Sequence, residues 1–178
     1  KNAKGSFICF MDDDDFSDKK RIESQIKAIL KAGLNENNYV LSICNINREY
    51  SSGYIKSMKV FGTYYKKPSC NEMIDFLLFN SKKKNTDYGF GCPTCAMLVS
   101  KIALEKVGGF DENLRRVEDM DITLRLCHLN CYLISAKDTF VNQYATKGED
   151  KSPLKNLESE IQVIRKNKKY LEKKNMYI

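Results

Sequence analysis

The feature that most constrains the fold is a short apolar segment that runs directly into four consecutive carboxylates. Residues 7–11 contain β-branched and aromatic side chains and predict a buried β-strand. Asp12, Asp13, Asp14 and Asp15 follow at once. Because adjacent like charges repel, a folded chain keeps such a run only where water or a cation compensates it. Since the run follows a strand, where α/β proteins bind ligands, it predicts a divalent-cation site with oxygen ligands.

The acidic run has two other interpretations besides a metal site. A solvated turn that caps the next helix stays open, although a cap needs one aspartate and not four. A calcium-binding loop counted from Asp12 would require a side-chain ligand at Phe16 and a glycine at Ser17. Because the Phe16 side chain has no ligand atom and residue 17 is not glycine, a calcium-binding loop is excluded.

The composition is typical of a globular protein. The 178 residues are 42% hydrophobic and 30% charged, which is enough for one domain with a real core. We find no apolar run near the roughly 20 residues of a membrane span, and no signal peptide. Seven cysteines without a secretory signal predict reduced thiols in a cytoplasmic protein.

The cysteine spacing also raises a zinc hypothesis. Cys92 and Cys95 are separated by two residues, and Cys127 and Cys131 lie one helical turn apart. Against zinc, the first pair leads into a strand-like run, and buried cysteines are common on apolar helix faces. We therefore favour free thiols.

The net charge of +7 is concentrated towards the C-terminus. From Lys151 onward there are eight Lys or Arg residues and three Asp or Glu residues. Apolar residues recur there at helical spacing and predict a final helix with a basic face: Leu154, Leu157, Ile161, Ile164 and Leu171. Such a helix can lie on anionic lipid, and an ordinary solvated face explains it too. The lysines are not interleaved with stacking aromatic residues, so we expect no nucleic-acid partner.

Between these ends, strand-like and helical segments predict a mixed α/β fold. Strands are expected over residues 39–46, 54–65, 94–100, 131–135 and 139–144, and helices over 70–79, 101–107 and from about 115 to 129. The first helix should be capped by Ser17 and end at Gly33. Its core-facing stripe is expected at Ile22, Ile26, Ile29 and Leu30.

A second acidic cluster opens the helix near residue 118. The helix dipole alone explains Glu118 and Asp119 at such a position. Asp121 and Arg125 are spaced to pair within the helix. A functional role is favoured because the cluster follows a glycine turn, at Gly108, in a chain that already carries the aspartate run.

In this order, the motifs resemble glycosyltransferase family 2. The segments that carry the resemblance are AKGSFICFMDDDDFSDKKRIESQ and GCPTCAMLVSKIALEKVGGFDENLRRVEDMDITLRL, and it extends over about residues 4–143. It implies the nucleotide-diphospho-sugar transferase fold called GT-A, a mixed central sheet flanked by helices, here truncated at its N-terminus. We expect a partial catalytic domain over residues 1–150 and a basic amphipathic helix over 151–178.

The resemblance also implies residue roles on the donor side. Asp12 and Asp14 form its Asp-x-Asp motif, and Asp14, with Asp12, would hold Mn²⁺ or Mg²⁺ against the diphosphate of the donor. Asp12 or Asp13 would contact the ribose or sugar, and Asp15 belongs to the same donor-binding run. Asp119 would be the general base.

On the acceptor side, the resemblance implies contacts from Gly108, Gly109, Phe110, Asp111 and Glu118. The expected enzyme is a metal-dependent, inverting transferase that moves a sugar from a nucleotide donor, a UDP-sugar, to a hydroxyl of a carbohydrate or glycolipid. We expect it to serve surface polysaccharide or glycolipid synthesis from the cytoplasm, with peripheral contact at the inner face of the membrane.

Two departures from the family pattern qualify this expectation. Eleven residues precede Asp12, too few for the strand and loops that hold the nucleotide base, so we expect a fragment or a truncated homologue. The chain has no Trp and thus lacks the Gln-x-x-Arg-Trp motif of processive synthases, which favours single-sugar transfer. The alternative is a family member without turnover, or a binding module for carbohydrate or nucleotide sugar.

Overall fold

The computed structural model describes residues 2–145 and 152–176. Its strands are β1 (Phe7–Cys9), β2 (Phe16–Ser17), β3 (Val40–Glu49), β4 (Ile55–Met58), β5 (Met97–Ser100) and β6 (Tyr132–Tyr144). Its helices are α1 (Arg21–Lys31), α2 (Cys70–Phe79), α3 (Lys101–Lys106), α4 (Glu118–His128), α5 (Pro153–Lys166) and α6 (Lys168–Lys173). A 3-10 helix, Thr94–Ala96, leads into β5.

The strands form one mixed sheet in the order β1-β5-β3-β6-β2, with β4 paired to β3. β3 and β6 are parallel, and the remaining pairs are antiparallel. β3 is central because its residues 40–46 are buried, as a strand covered on both faces requires. The mixed α/β fold expected from the sequence is confirmed.

The two strands expected over 131–135 and 139–144 are a single strand with an irregularity. The register between β3 and β6 shifts at Asn45, where Cys44 pairs with Ala136 but Asn45 pairs with Thr139. The Asn45 side chain satisfies the displaced backbone, because it donates to the Lys137 carbonyl and accepts from the Val60 N–H at 2.8 Å. A buried amide therefore holds the bulge in place.

The core-facing side of α1 includes only part of the stripe expected from the sequence. Ile29 is buried and Ile26 packs on the same core, as expected, but Ile22 and Leu30 are exposed. Arg21 and Gln25 are buried in their place. The helix also begins at Arg21 rather than after Ser17, which lies in β2. The capping prediction was therefore wrong, and the predicted end at Gly33 is consistent with its positive φ of 74°.

Hydrogen bonds from polar side chains set this orientation of α1. The Gln25 amide donates to the carbonyls of Ser42 and Ala96, both at 3.1 Å, and Arg21 Nη2 donates to the Met97 carbonyl at 3.0 Å. The carbonyls of residues 96 and 97 lie where the 3-10 helix joins β5, and the carbonyl of residue 42 lies in β3. The long polar side chains of α1 satisfy all three. The periodicity of apolar residues does not predict these hydrogen bonds, because it takes only apolar positions into account.

The remaining elements differ from expectation mainly in their ends. α2 has the predicted bounds and carries a capping box between Ser69 and Glu72. The extended stretch expected over 54–65 is only β4, and the helix expected from about 115 begins at Glu118.

The C-terminal helices pack on the same core, through Val163 and Tyr170, and a break at Asn167 separates α5 from α6. Their buried positions include Ser159, Val163 and Leu171, whereas the expected apolar stripe is exposed on α5: Leu154, Leu157, Ile161 and Ile164. The predicted boundary at residues 150–151 lies outside the described residues. Among the helices described, we find none with the length and apolar character needed to cross a membrane.

Candidate active site

The aspartate run and the acidic start of α4 line one pocket of about 550 Å³. From the run, Asp12, Asp14 and Asp15 line it, and from α4, Glu118 and Asp119 do. The rest of the lining comes mainly from strand ends and the 3-10 helix: Arg48, Tyr50, Pro93, Thr94, Cys95, Arg116, Val117, Gln143, Tyr144 and Ala145. Two acidic clusters about a hundred residues apart in sequence thus face the same space.

The backbone around the aspartate run fixes its orientation. After β1, the Phe10 N–H donates to the Met97 carbonyl at 3.2 Å, and a turn follows in which the Asp15 N–H donates to the Asp12 carbonyl at 3.3 Å. Asp15 Oδ1 accepts the Tyr144 N–H at 3.2 Å. The turn therefore projects Asp12, Asp14 and Asp15 into the pocket, whereas Asp13 is exposed and does not line it.

Two buried oxygens in the pocket lack hydrogen-bond partners among the described residues. They are Asp15 Oδ2 and Thr94 Oγ1. Buried polar atoms are normally satisfied by protein, water or ligand. The Asp15 carboxylate lies beside the Cys95 thiol, and its Oδ2 is an oxygen that a cation or a further donor group would satisfy.

Two carboxyls of the aspartate run, those of Asp12 and Asp15, have a raised pKa. Burial and the charges of Asp15, Asp14 and Glu118 raise the pKa of Asp12. Burial also raises the pKa of Asp15. Side-chain ligand atoms of Asp12, Asp15 and Cys95 all lie within 4.8 Å of one another. Because a cation would relieve this repulsion, and because carboxylate oxygens suit hard divalent ions, the residues present fit Mn²⁺ or Mg²⁺.

Asp119 is a pocket carboxyl with a raised pKa. It lies in the first turn of α4, where its Oδ1 accepts the Met120 N–H at 2.7 Å. Burial, followed by the charge of Glu118, raises the pKa of its carboxyl to about 6. The preceding Val117 has a φ of 54°, a left-handed conformation that is strained for a β-branched residue. Strain of this kind is concentrated at functional sites, where it fixes a side-chain direction.

Two arginines complete the pocket. Arg48 Nε donates to Gln143 Oε1 at 2.7 Å, and Arg116 Nε donates to Asn156 Oδ1 at 2.8 Å. These bonds orient each guanidinium, a group suited to phosphate oxygens. Sequence reasoning gave Arg48 no role because nothing in the local pattern distinguishes the end of β3, and Arg116 was visible only as a neighbour of the acidic motif.

The residues expected on the acceptor side divide into two groups. Glu118 lines the pocket, but Gly108, Gly109, Phe110 and Asp111 are not among its lining residues. The Phe110 ring packs edge-on against Phe10, with centroids 5.1 Å apart. The Lys166 ammonium contacts Asp111 at 2.8 Å and lowers the pKa of that carboxyl to about 2. In this conformation the turn supports the pocket from outside.

The cysteines of the zinc hypothesis do not meet as two pairs. Cys95 lies beside the aspartates of the pocket, whereas Cys127 and Cys131 lie beside Cys70. Cys70 was not part of the zinc hypothesis. All seven thiols are free.

A mixed sheet with a carboxylate run after an edge strand and an acidic helix start across one pocket defines a GT-A-type domain. The chain belongs to glycosyltransferase family 2, since the family model described as glycosyltransferase like family 2 matches residues 1–168. The fold is similar to the crystal structure of residues 1–349 of S. aureus TarS, with a TM-score of 0.54 and 16% identity. That similarity covers 80% of this chain and 37% of the TarS chain. No curated protein matches the sequence.

Proposed function

We propose that this chain carries the metal- and base-bearing part of an inverting glycosyltransferase that uses a nucleotide-diphospho-sugar, with UDP-sugars the first candidates. The observation that carries the proposal is the pocket itself. It is lined by Asp119, a carboxyl with a pKa raised to about 6, together with the carboxylates of Asp12, Asp14 and Asp15. The aspartate run suits a cation and a diphosphate, and Asp119 suits a hydroxyl that must lose a proton.

On the donor side, Asp14 and Asp12 would hold Mn²⁺ or Mg²⁺, with Asp15 Oδ2 as a further oxygen. A bound cation of this kind stabilises the negative charge of a leaving diphosphate. Arg48 and Arg116 add positive charge on the same pocket and would bind phosphate oxygens. Asp13 remains the candidate for the ribose or sugar, reached from the rim of the pocket.

On the acceptor side, Asp119 accepts the proton of the attacking hydroxyl. A raised pKa favours this role, because a general base works best when its pKa lies near the operating pH. The hydroxyl oxygen then forms the new bond to the anomeric carbon while the bond to the diphosphate breaks, and a single displacement of this kind inverts the anomeric centre. Glu118 lines the same pocket and is the candidate for an acceptor hydrogen bond.

A split between binding and turnover tests the proposal. We expect Asp119→Asn to bind a nucleotide sugar as the unaltered chain does but to release nucleoside diphosphate at least about 100-fold more slowly. Asp14→Asn should instead lose the Mn²⁺-dependent part of binding. If Asp119→Asn kept full turnover, Glu118 would take the role of base, because Asp121 is buried in ion pairs with Arg125 and Lys166.

The alternative function is a family member that binds a nucleotide sugar or carbohydrate without turnover. The same assay separates the two, because a binding module shows donor binding that requires Asp14 but no nucleoside diphosphate release with any acceptor. The elevated pKa of Asp119 favours the catalytic function, since a binding site gains nothing from a half-buried base.

For cellular partners, we propose a carbohydrate or glycolipid acceptor of a surface polysaccharide pathway and peripheral contact with an anionic membrane. The apolar stripe of α5, exposed at Leu154, Leu157, Ile161 and Ile164, supports this contact in a segment rich in lysine. Binding to phosphatidylglycerol vesicles, weak with phosphatidylcholine and lost in Leu157→Ser/Ile161→Ser, is the expected result. Equal binding by that double variant would contradict it.

A further inference from the structure

Three cysteine thiols from separate parts of the chain converge beneath the helices, away from the pocket. Cys70 is the first residue of α2, Cys127 lies in the last turn of α4, and Cys131 directly precedes β6. Their Sγ atoms all lie within 4.8 Å of one another. Cys127 and Cys131 are 1% and 4% exposed, whereas Cys70 is half-buried. Cys127 and Cys131 are therefore closed off from solvent, and Cys70 is the most accessible of the three residues.

Packing alone explains a single buried cysteine, which behaves as a small apolar side chain. It does not explain why three sulfurs turn towards one point. Cys70 Sγ lies 3.0 Å from the Cys131 carbonyl, so the first turn of α2 is held against the end of α4 through its sulfur. Apolar residues would have filled this space without the polar contact.

The surroundings of the cluster include a positive charge. The Lys67 ammonium lies near the Cys70 sulfur. Lys67 is fixed there, because its Nζ donates to the Leu133 carbonyl at 2.8 Å. Metal-binding cysteines act as thiolates, and three thiolates with one divalent ion leave a net negative charge that this lysine offsets.

We propose that Cys70, Cys127 and Cys131 bind a Zn²⁺ ion through three thiolates. Thiolate sulfur is a ligand that zinc prefers, and a water would complete the tetrahedral coordination of an ion held by three cysteines. The ion joins α2 to the end of α4, the helix whose first turn carries Glu118 and Asp119. This site is distinct from the carboxylate site, which has oxygen ligands and suits Mn²⁺ or Mg²⁺.

Cobalt titration of the full chain under reducing conditions tests the site, because Co²⁺ substitutes for Zn²⁺ and absorbs strongly only when thiolates bind it. We expect one equivalent of Co²⁺ to give thiolate charge-transfer absorption that Zn²⁺ then removes. Cys70→Ser and Cys127→Ser should each lose most of it. Cys9→Ser, which alters another half-buried thiol, and Cys95→Ser, which alters the thiol of the carboxylate pocket, should keep it.

A second measurement needs no substitution and so does not depend on whether the variants fold. Alkylation of the native chain, mapped by mass spectrometry, should be slowed at Cys70 at least tenfold by Zn²⁺ and unchanged at Cys9. Absence of thiolate absorption with Co²⁺, absorption that persists in Cys70→Ser but is lost in Cys95→Ser, or equal alkylation of Cys70 with and without Zn²⁺ would each overturn the proposal.

Discussion

The Arg125 guanidinium donates to Asp121 Oδ2 through both Nε, at 2.9 Å, and Nη2, at 2.6 Å. The same guanidinium donates through Nη1 to the carbonyls of Val107 and Gly109, each at 2.6 Å. Asp121 thus belongs to a structural network that ties α4 to the end of α3, whereas Asp119, two residues earlier, faces the pocket. Asp119 and Asp121 have different surroundings because they lie on different faces of α4.

Asp121→Asn should lower the free energy of unfolding by about 2–4 kcal/mol, because it leaves the partly buried charges of Arg125 and Lys166 without their shared carboxylate. Urea unfolding at pH 7 measures the loss. The matched control is Glu105→Gln, which breaks the exposed pair with Lys101 and should cost less than about 0.5 kcal/mol. Similar losses in both variants would contradict the structural role of Asp121.

Asp119→Asn should raise stability at neutral pH. Well below pH 3.8 the carboxyl is protonated in both folded and unfolded chains, so Asp119 imposes no penalty. Its folded pKa is about 6 against an ordinary 3.8, so the stabilising preference for the protonated form is lost as the pH rises through 6. The variant should therefore gain about 3 kcal/mol at pH 7.5 and about 0.5 kcal/mol at pH 4. Urea midpoints at the two pH values test this, and a gain independent of pH would contradict it.

The acid limb of the pH–rate profile should report the same carboxyl. Because the base must be ionised to accept a proton, kcat/KM should fall about tenfold per pH unit below an apparent pKa near 6. Steady-state release of nucleoside diphosphate between pH 4.5 and 8 measures the profile. An acid limb that is unchanged in Asp119→Glu and lies near 4 would assign the base to another residue.

Mn²⁺ affinity should distinguish three neighbours in the aspartate run, Asp13, Asp14 and Asp15. Asp14→Asn and Asp15→Asn should each weaken Mn²⁺ binding about tenfold or more, or about 1.4 kcal/mol, since both line the pocket. Asp13→Asn, with the same change of charge at an exposed residue outside the pocket lining, should alter affinity less than about twofold. Electron paramagnetic resonance of free Mn²⁺ gives the affinities. Equal losses in all three variants would mean that only net charge matters.

Arg21→Lys should destabilise the fold although it keeps the charge. Arg21 is fully buried and donates to Gln25 Oε1 at 3.1 Å and to the Met97 carbonyl at 3.0 Å, a fork that an ammonium cannot reproduce. We expect a loss of about 2–3 kcal/mol in urea unfolding. Lys19→Arg, at an exposed position just before α1, is the control and should change little.

Local pattern predicted the parts of this fold that depend on apolar burial and turn chemistry. α2 and β3 were anticipated because apolar residues recur along both segments of the sequence. The orientation of α1 was anticipated only in part, because Arg21 and Gln25 bind carbonyls contributed by residues 42, 96 and 97. Long-range polar satisfaction of this kind leaves no periodic signal.

The parts of the candidate site that are formed by acidic residues adjacent in sequence were predicted. The aspartate run and Glu118 with Asp119 stand out as clusters, and the structure places both on one pocket. Arg48 was not predicted, since a single arginine at a strand end resembles any solvated charge. The thiol cluster was missed because Cys70 lies 57 residues before Cys127, and only the packing of α2 on α4 brings them together.

A thermal-shift panel of nucleotide sugars on this chain, each with and without Mn²⁺, tests the proposed donor site directly. We expect at least one nucleotide-diphospho-sugar to raise the melting temperature only when Mn²⁺ is present, and Asp14→Asn to abolish this shift. Stabilisation that ignores Mn²⁺, or no stabilisation by any nucleotide sugar under either condition, would contradict the assignment of the pocket to a metal-dependent glycosyl donor.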